Sequence, residues 1–123
     1  MWDKKAKLWR RIKEELSESY VIVEGKKDVE ALARIGIRAH SLSHGAIAKA
    51  EGKVVILTDL DREGERLAKA TAERLKENPH VERINRRLRR VIGGLLSLTR
   101  IEEIDKKFRK FKEEVIRNGE NIH

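Results

Sequence analysis

Cysteine is absent from the sequence, which also holds a single proline, five aromatic residues and no long apolar run. Each absence closes a class of protein. Without thiols there is no disulfide framework, no Cys-ligated zinc or iron–sulfur cluster and no thiol nucleophile, as suits a protein of the reducing cytosol. No apolar stretch approaches the roughly 18 residues that a membrane-spanning helix needs. The segment Met1 to Leu16 mixes Trp, Lys, Arg and Glu, unlike the apolar core and small-residue cleavage site of a signal peptide. A cytoplasmic protein with no membrane partner is therefore expected. At 123 residues the chain has the length of a single domain with a modest core.

What the sequence has is charge. Charged residues make up 41% of it and the net charge is +8, yet its 39% of hydrophobic residues recur periodically, as a disordered polyelectrolyte would not require. Abundant Glu, Lys and Arg also suits a heat-adapted source. The excess is local. Residues 21–82 carry eleven basic and eleven acidic groups, whereas residues 83–112 carry eleven and three. Clustered basic groups are the electrostatic footprint of a polyanion, because neutralised phosphates release counterions; they also occur as solvated helix faces.

Periodicity outlines an α/β chain. Leu8, Trp9, Ile12 and Leu16 mark one face of a helix over residues 4–17, and Tyr20 to Val23 is a β-branched run too continuously apolar for a strand with one wet face. Val29, Leu32, Ala33 and Ile35 mark a second helix, closed by Gly36 at the left-handed position. Ile37 to Leu42, Val54 to Leu57 and Val81 to Ile84 read as further strands. Ala46 to Ala50 reads as a helical turn, and Glu63 to Lys76 as a helix ended by Asn78-Pro79. In the C-terminal flank, Leu88, Val91, Ile92, Leu95 and Leu96 keep a helical period that Gly93-Gly94 is expected to break. Thr99 and Glu102 have capping-box spacing ahead of a last helix faced by Ile101, Ile104, Phe108, Phe111 and Val115. Alternating strands and helices predict a central, mostly parallel sheet of about four strands flanked by helices. Trp2, Trp9, Phe108 and Phe111 are apolar surface for either the core or an interface with a second copy or another protein.

Three carboxylates stand at predicted C-terminal strand ends, the rim where open parallel sheets bind ligands: Glu24 after the first strand, Asp59 and Asp61 after the third. Two aspartates at i and i+2 leave a strand on the same side and can share a hard cation, and an oxygen-only set suits Mg²⁺ better than zinc. Spacing alone fits helix capping equally well, with Asp59 as N-cap, Asp61 as a first-turn acid and Glu63 and Glu65 as solvated helix residues. Glu24 tips the balance, since a carboxylate ending a buried strand and followed by Gly25 has few structural reasons to be there.

The runs Val21-Ile22-Val23-Glu24-Gly25-Lys26-Lys27-Asp28 and Leu57-Thr58-Asp59-Leu60-Asp61-Arg62-Glu63-Gly64-Glu65 resemble the Toprim domain. Type IA and type II topoisomerases, bacterial primases, 5S rRNA maturase nucleases and recombination mediators share that domain. The first run is most similar to the primase and maturase version, the second to the type IA topoisomerase version. The resemblance covers residues 20–85, with the N-terminal helix and a basic helical flank over 86–117 outside it, and the chain's length is similar to that of small stand-alone Toprim proteins.

The resemblance implies a Rossmann-like Toprim fold. It implies Glu24 as acid/base residue or metal ligand, Asp59 and Asp61 as Mg²⁺ ligands (Mn²⁺ as substitute) and Glu63 as the third acidic position of the topoisomerase version. Lys26, Arg62 and the loop Ser43 to Gly45 would border the phosphate path, and Arg86, Arg87 and Arg90 would hold a nucleic-acid backbone. The only tyrosine, Tyr20, begins a predicted buried strand, so strand passage by this chain alone is not expected, and nothing supplies the zinc ligands or polymerase body of a primase. Two functions remain: a Mg²⁺-dependent nuclease on structured RNA or DNA, or an accessory nucleic-acid or ribonucleoprotein binding module that keeps the metal site.

Overall fold

The computed structural model describes residues 1–122. Ten principal elements follow in order: α1 (Trp2–Ser17), β1 (Tyr20–Val23), α2 (Lys26–Arg34), β2 (His40–Ser41), α3 (Ala46–Lys49), β3 (Gly52–Ile56), α4 (Arg62–Leu75), β4 (Val81–Asn85), α5 (Arg87–Leu96) and α6 (Ile104–Arg117). Short 3₁₀ turns at Leu42–His44 and Ile101–Glu103 complete the path. The four strands form one sheet in the order β2-β1-β3-β4, and every pairing is parallel. This is the α/β architecture expected from the alternation of strands and helices, and it is Rossmann-like as the resemblance implies.

The apolar runs of β1 and β3 follow from their central places in the sheet, because both faces of each strand are covered. Val21, Val23, Val55 and Leu57 join a core with Trp9, Leu32, Ile92, Ile104 and Phe111. Ile22, Val54 and Ile56, one residue out of phase, pack on Ala46, Ala68, Ala72 and Leu75. Helices α1, α2, α5 and α6 thus cover one face, and α3 and α4 the other. Trp9 and Phe111 are buried and Trp9 stacks on Phe108 at 4.6 Å, so this aromatic group serves the core.

Local signals hold at several ends. Gly36 takes φ +80°, while its N–H reaches Ala33 O and that of Ile37 reaches Leu32 O, the paired bonds of a Schellman C-cap. The second strand is shorter than Ile37 to Leu42 suggests, confined to His40–Ser41. Two expectations in the flank fail. Helix α5 runs unbroken through Gly93-Gly94 and ends at Ser97, which adopts φ 53°. Gly93 is there for contact, since a Cβ would lie 2.8 Å from Leu60 Cγ. The capping box of Thr99 and Glu102 does not form; the carbonyl of Thr99 instead accepts from Leu60 N–H at 2.7 Å, and a 3₁₀ turn leads into α6.

Candidate functional site

In an open parallel sheet the ligand crevice lies at the strand C-termini, where successive connections depart in opposite directions. In the order β2-β1-β3-β4 that place is between β1 and β3. Glu24 follows β1 and Asp59 follows β3, and the backbone N–H of Asp59 donates to Glu24 Oε2 at 2.9 Å. The two sequence candidates are thereby joined at the switch point.

The loop bearing Asp59 is held from several sides. Gly64 in the first turn of α4 packs so closely beneath it that a Cβ would lie 1.8 Å from the Asp59 carbonyl oxygen, which only glycine permits. Thr58 Oγ1 donates to the carbonyl of Gly64 at 2.6 Å, and Gly64 N–H donates to Asp61 Oδ1 at 2.7 Å, making Asp61 the N-cap of α4. From the C-terminal flank, Ile101 N–H donates to Asp59 Oδ1 at 2.9 Å. Each of Glu24, Asp59 and Asp61 is therefore oriented through one carboxylate oxygen.

Arg89 completes the support. It is 3% exposed; Nε donates to the Thr58 carbonyl at 3.0 Å, Nη2 to the Asp59 carbonyl at 2.7 Å and Nη1 to Glu65 Oε2 at 2.6 Å. Arg90 holds the other oxygen of Glu65 at 2.8 Å. The hydrogen bond from Arg89, with the charge of Arg90 beside it, keeps the Glu65 carboxyl below its ordinary pKa. Glu65 is thus a bridge to α5, not a solvated helix residue. Arg89 is hidden in the run of arginines from 86 to 90, where neighbours of one type give no sign of which turns inward.

Asp28, one turn into α2, accepts from Gly25 N–H at 3.2 Å and is nearly buried. Burial first, then the charges of Asp59, Glu24 and Glu102, push its carboxyl above the ordinary pKa. Asp28 and Glu102 thus belong to the same acidic neighbourhood, although the strand-end argument names neither. Asp28 has a signal, four residues after Glu24 across a glycine N-cap, whereas Glu102 arrives only through tertiary folding. Asp61 is exposed, as is Glu63, which pairs with Arg66 on the solvent side of α4.

Among the described residues, no three His, Asp or Glu side chains stand close enough to hold a metal ion by themselves. The donor chemistry nevertheless fits a hard divalent cation, because Mg²⁺ takes one or two carboxylates and completes its shell with water and substrate phosphate. Burial is the main cause of the raised Asp28 pKa, and the neighbouring charges of Asp59, Glu24 and Glu102 that add to it are what a cation would relieve.

The remaining candidates flank this centre. Lys26 and Arg62 are exposed first residues of α2 and α4. Arg86 and Arg87, just past β4, line an open groove of about 560 Å³ together with Arg83 and Asn85. The hydroxyl of Tyr20 donates to the Ala46 carbonyl at 2.9 Å, in keeping with a structural tyrosine. No helix among the described residues is long and apolar enough to cross a membrane.

Known proteins share stretches of this sequence. The UPF0292 protein of Methanocaldococcus jannaschii is 32% identical over 85 residues, covering 61% of this chain and 66% of that protein. The UPF0292 protein of Thermococcus onnurineus is 43% identical over 70 residues, covering 50% and 53%. That of Archaeoglobus fulgidus is 30% identical over 95 residues, covering 73% and 77%. The matched stretch spans less than two thirds of the length of the first two relatives. A solved structure of a protein from Aquifex aeolicus has a TM-score of 0.61 at 28% identity, over 76% of this chain and 95% of that one. The Toprim domain signature matches residues 19–92. With that signature over more than half its length, the chain belongs to the Toprim domain family, whose domains typically bind divalent metal ions and work on nucleic acid.

Proposed function

We propose that this protein is a Mg²⁺-dependent phosphoryl-transfer enzyme acting on nucleic acid, a small nuclease for structured RNA or DNA. The observation that carries the reading is the hydrogen bond from the Asp59 backbone N–H to Glu24 Oε2, which ties the loop bearing one strand-end acid to the carboxylate of the other at the sheet's switch point. Asp59 and Asp61 are the residues to hold the ion, leaving Glu24 as the base, and Glu63 adds a carboxylate from the first turn of α4. When bound, the ion supplies Lewis-acid stabilisation of the charge that grows on phosphoryl oxygens. Glu24 takes the proton of the attacking water on the oxygen not engaged by Asp59. Lys26 and Arg62 border the phosphates and the arginines after β4 hold the flanking backbone. The whole chain works as one such unit in the cytoplasm, its N-terminal helix and basic flank serving the motif-bearing core.

A second reading, an accessory nucleic-acid or ribonucleoprotein binding module, is favoured by one observation: Asp61 caps α4 and Glu63 pairs with Arg66, so both serve the helix. Labelled structured RNA and DNA incubated with Mg²⁺ or Mn²⁺ separate the two. Cleavage by the wild type and its loss in Asp59→Asn and Glu24→Gln supports the enzyme. No cleavage, with tight salt-sensitive binding that survives both substitutions, supports the binding module.

A further inference from the structure

A second cavity, of about 380 Å³, wraps the free edge of β2 between α2 on one face and α3 on the other. That volume lies within the range of about 300–1,000 Å³ usual for small-ligand sites. Its charged and ionisable lining is of one kind, Lys26, Lys49, His40 and His44 beside the phenol of Tyr20, with no carboxylate. Ser41 and Ser43 hydroxyls lie 2.8 and 3.1 Å from His44 Nδ1. A hydroxyl donating there leaves the neutral ring's proton on Nε2, a donor suited to an anion. In the same cavity Tyr20 and His40 stack with centroids 4.0 Å apart and planes within 5°. Burial, with the charges of Arg38 and Lys49, lowers the His40 pKa and favours the uncharged ring, a flat π surface.

Cationic donors and stacked rings lining one cavity match the two chemical halves of a nucleotide. We propose that this cavity seats one nucleotide of a single strand, its phosphate on Lys26, Lys49 and His44 and its base against the Tyr20–His40 stack. The position suits a strand rather than a free nucleotide. Ser41 pairs in register with Val23, the residue before Glu24, so strand β2, which lines the cavity, lies one strand spacing, about 4.8 Å, from the strand that delivers Glu24. Across the rim the order is then the cavity by β2, the acidic centre at β1 and β3, and the arginine groove after β4. A strand laid along that line has one nucleotide in the cavity while the adjoining phosphodiester faces Glu24 and Asp59. This alignment rests on the phosphoryl-transfer reading; nucleotide binding in the cavity does not.

The test uses the whole chain in EDTA, so that no metal contributes. Adenosine 5′-monophosphate, adenosine, inorganic phosphate and a short single-stranded oligonucleotide are titrated while the histidine ring protons are followed by NMR. The monophosphate should shift the His40 and His44 signals saturably and leave His80 in place, and adenosine and phosphate should each bind more weakly. The oligonucleotide should bind more tightly than the monophosphate. Lys49→Ala and Lys26→Ala should each weaken both ligands about tenfold, as removal of a charged phosphate donor predicts, while Asp59→Asn keeps wild-type monophosphate affinity. Unmoved His40 and His44 signals, undiminished binding by Lys49→Ala, or phosphate as tight as the monophosphate would overturn the site. Tighter binding of the free monophosphate than of the oligonucleotide would overturn the strand assignment. Absence of cleavage with these shifts intact counts against the nuclease and not against the cavity.

Discussion

At the residue scale, the acidic centre is built from side chains with opposite electrostatic tendencies. Asp28 has a raised carboxyl pKa, so it binds its proton more readily in the folded chain than in the unfolded one. Its contribution to stability is full below the unfolded pKa and is lost as pH rises through the folded value. Asp28→Asn keeps an acceptor for Gly25 N–H and removes the buried charge. In EDTA it should therefore be more stable than the wild type at neutral pH, with the advantage fading as pH falls. Urea midpoints across that range check this, and a variant weaker at neutral pH would refute it. Arg89 works the other way, because its guanidinium is bonded to both the Thr58–Asp59 backbone and Glu65. Lysine cannot span those acceptors at once. Arg89→Lys should lower stability by about 2 kcal/mol and, if the loop is what it positions, reduce cleavage while leaving binding of structured RNA in EDTA nearly unchanged; equal losses of both would make it a general scaffold residue.

At the element scale, legibility follows how local the determining physics is. Strands β1 and β3 are readable because burial on both faces writes an unbroken apolar run into the sequence, and the Schellman end of α2 because it needs Gly36. Glu24 and Asp59 are readable as strand-end carboxylates for the same reason. The course of α5 is not, because Gly93 answers to Leu60, distant in sequence, rather than to the helix it occupies. Arg89, Glu102 and the Ile101 N–H that holds Asp59 are hidden for that cause too, since each acts on the site only through the packing of the C-terminal flank. The two adjacent glycines provide a paired check. Gly94 is exposed, and a Cβ there would meet no atom within 4 Å, so Gly94→Ala should stabilise the helix by about 1 kcal/mol. Gly93→Ala drives a Cβ into Leu60 and should destabilise by about 1–3 kcal/mol. Thermal melts of the two variants should shift in opposite directions, and a common sign would mean that the contact with Leu60 is not what selects glycine.

At the scale of the whole molecule, the net charge of +8 resolves into a charge-balanced span that carries the acidic centre and a basic flank over residues 83–112. The flank divides by function. Arg89 is buried in the site and Arg90 is tied to Glu65, whereas Arg83, Arg86 and Arg87 line the open groove past β4, over a partly apolar wall that includes Ile84 and Leu88. Exposed arginines without a buried partner are the ones able to exchange water and counterions for phosphates. Replacing Arg83, Arg86 and Arg87 together with alanine should therefore weaken binding of structured RNA or DNA in EDTA and flatten the slope of log affinity against log salt by about 1 for each phosphate no longer neutralised. Arg90→Ala should instead act mainly on the Glu65 bridge and leave that slope near wild type. Fluorescence anisotropy at several salt concentrations measures both. An unchanged slope in the triple variant would remove the groove from the nucleic-acid path, and a slope that falls equally in Arg90→Ala would show that the ion pair with Glu65 opens when nucleic acid binds.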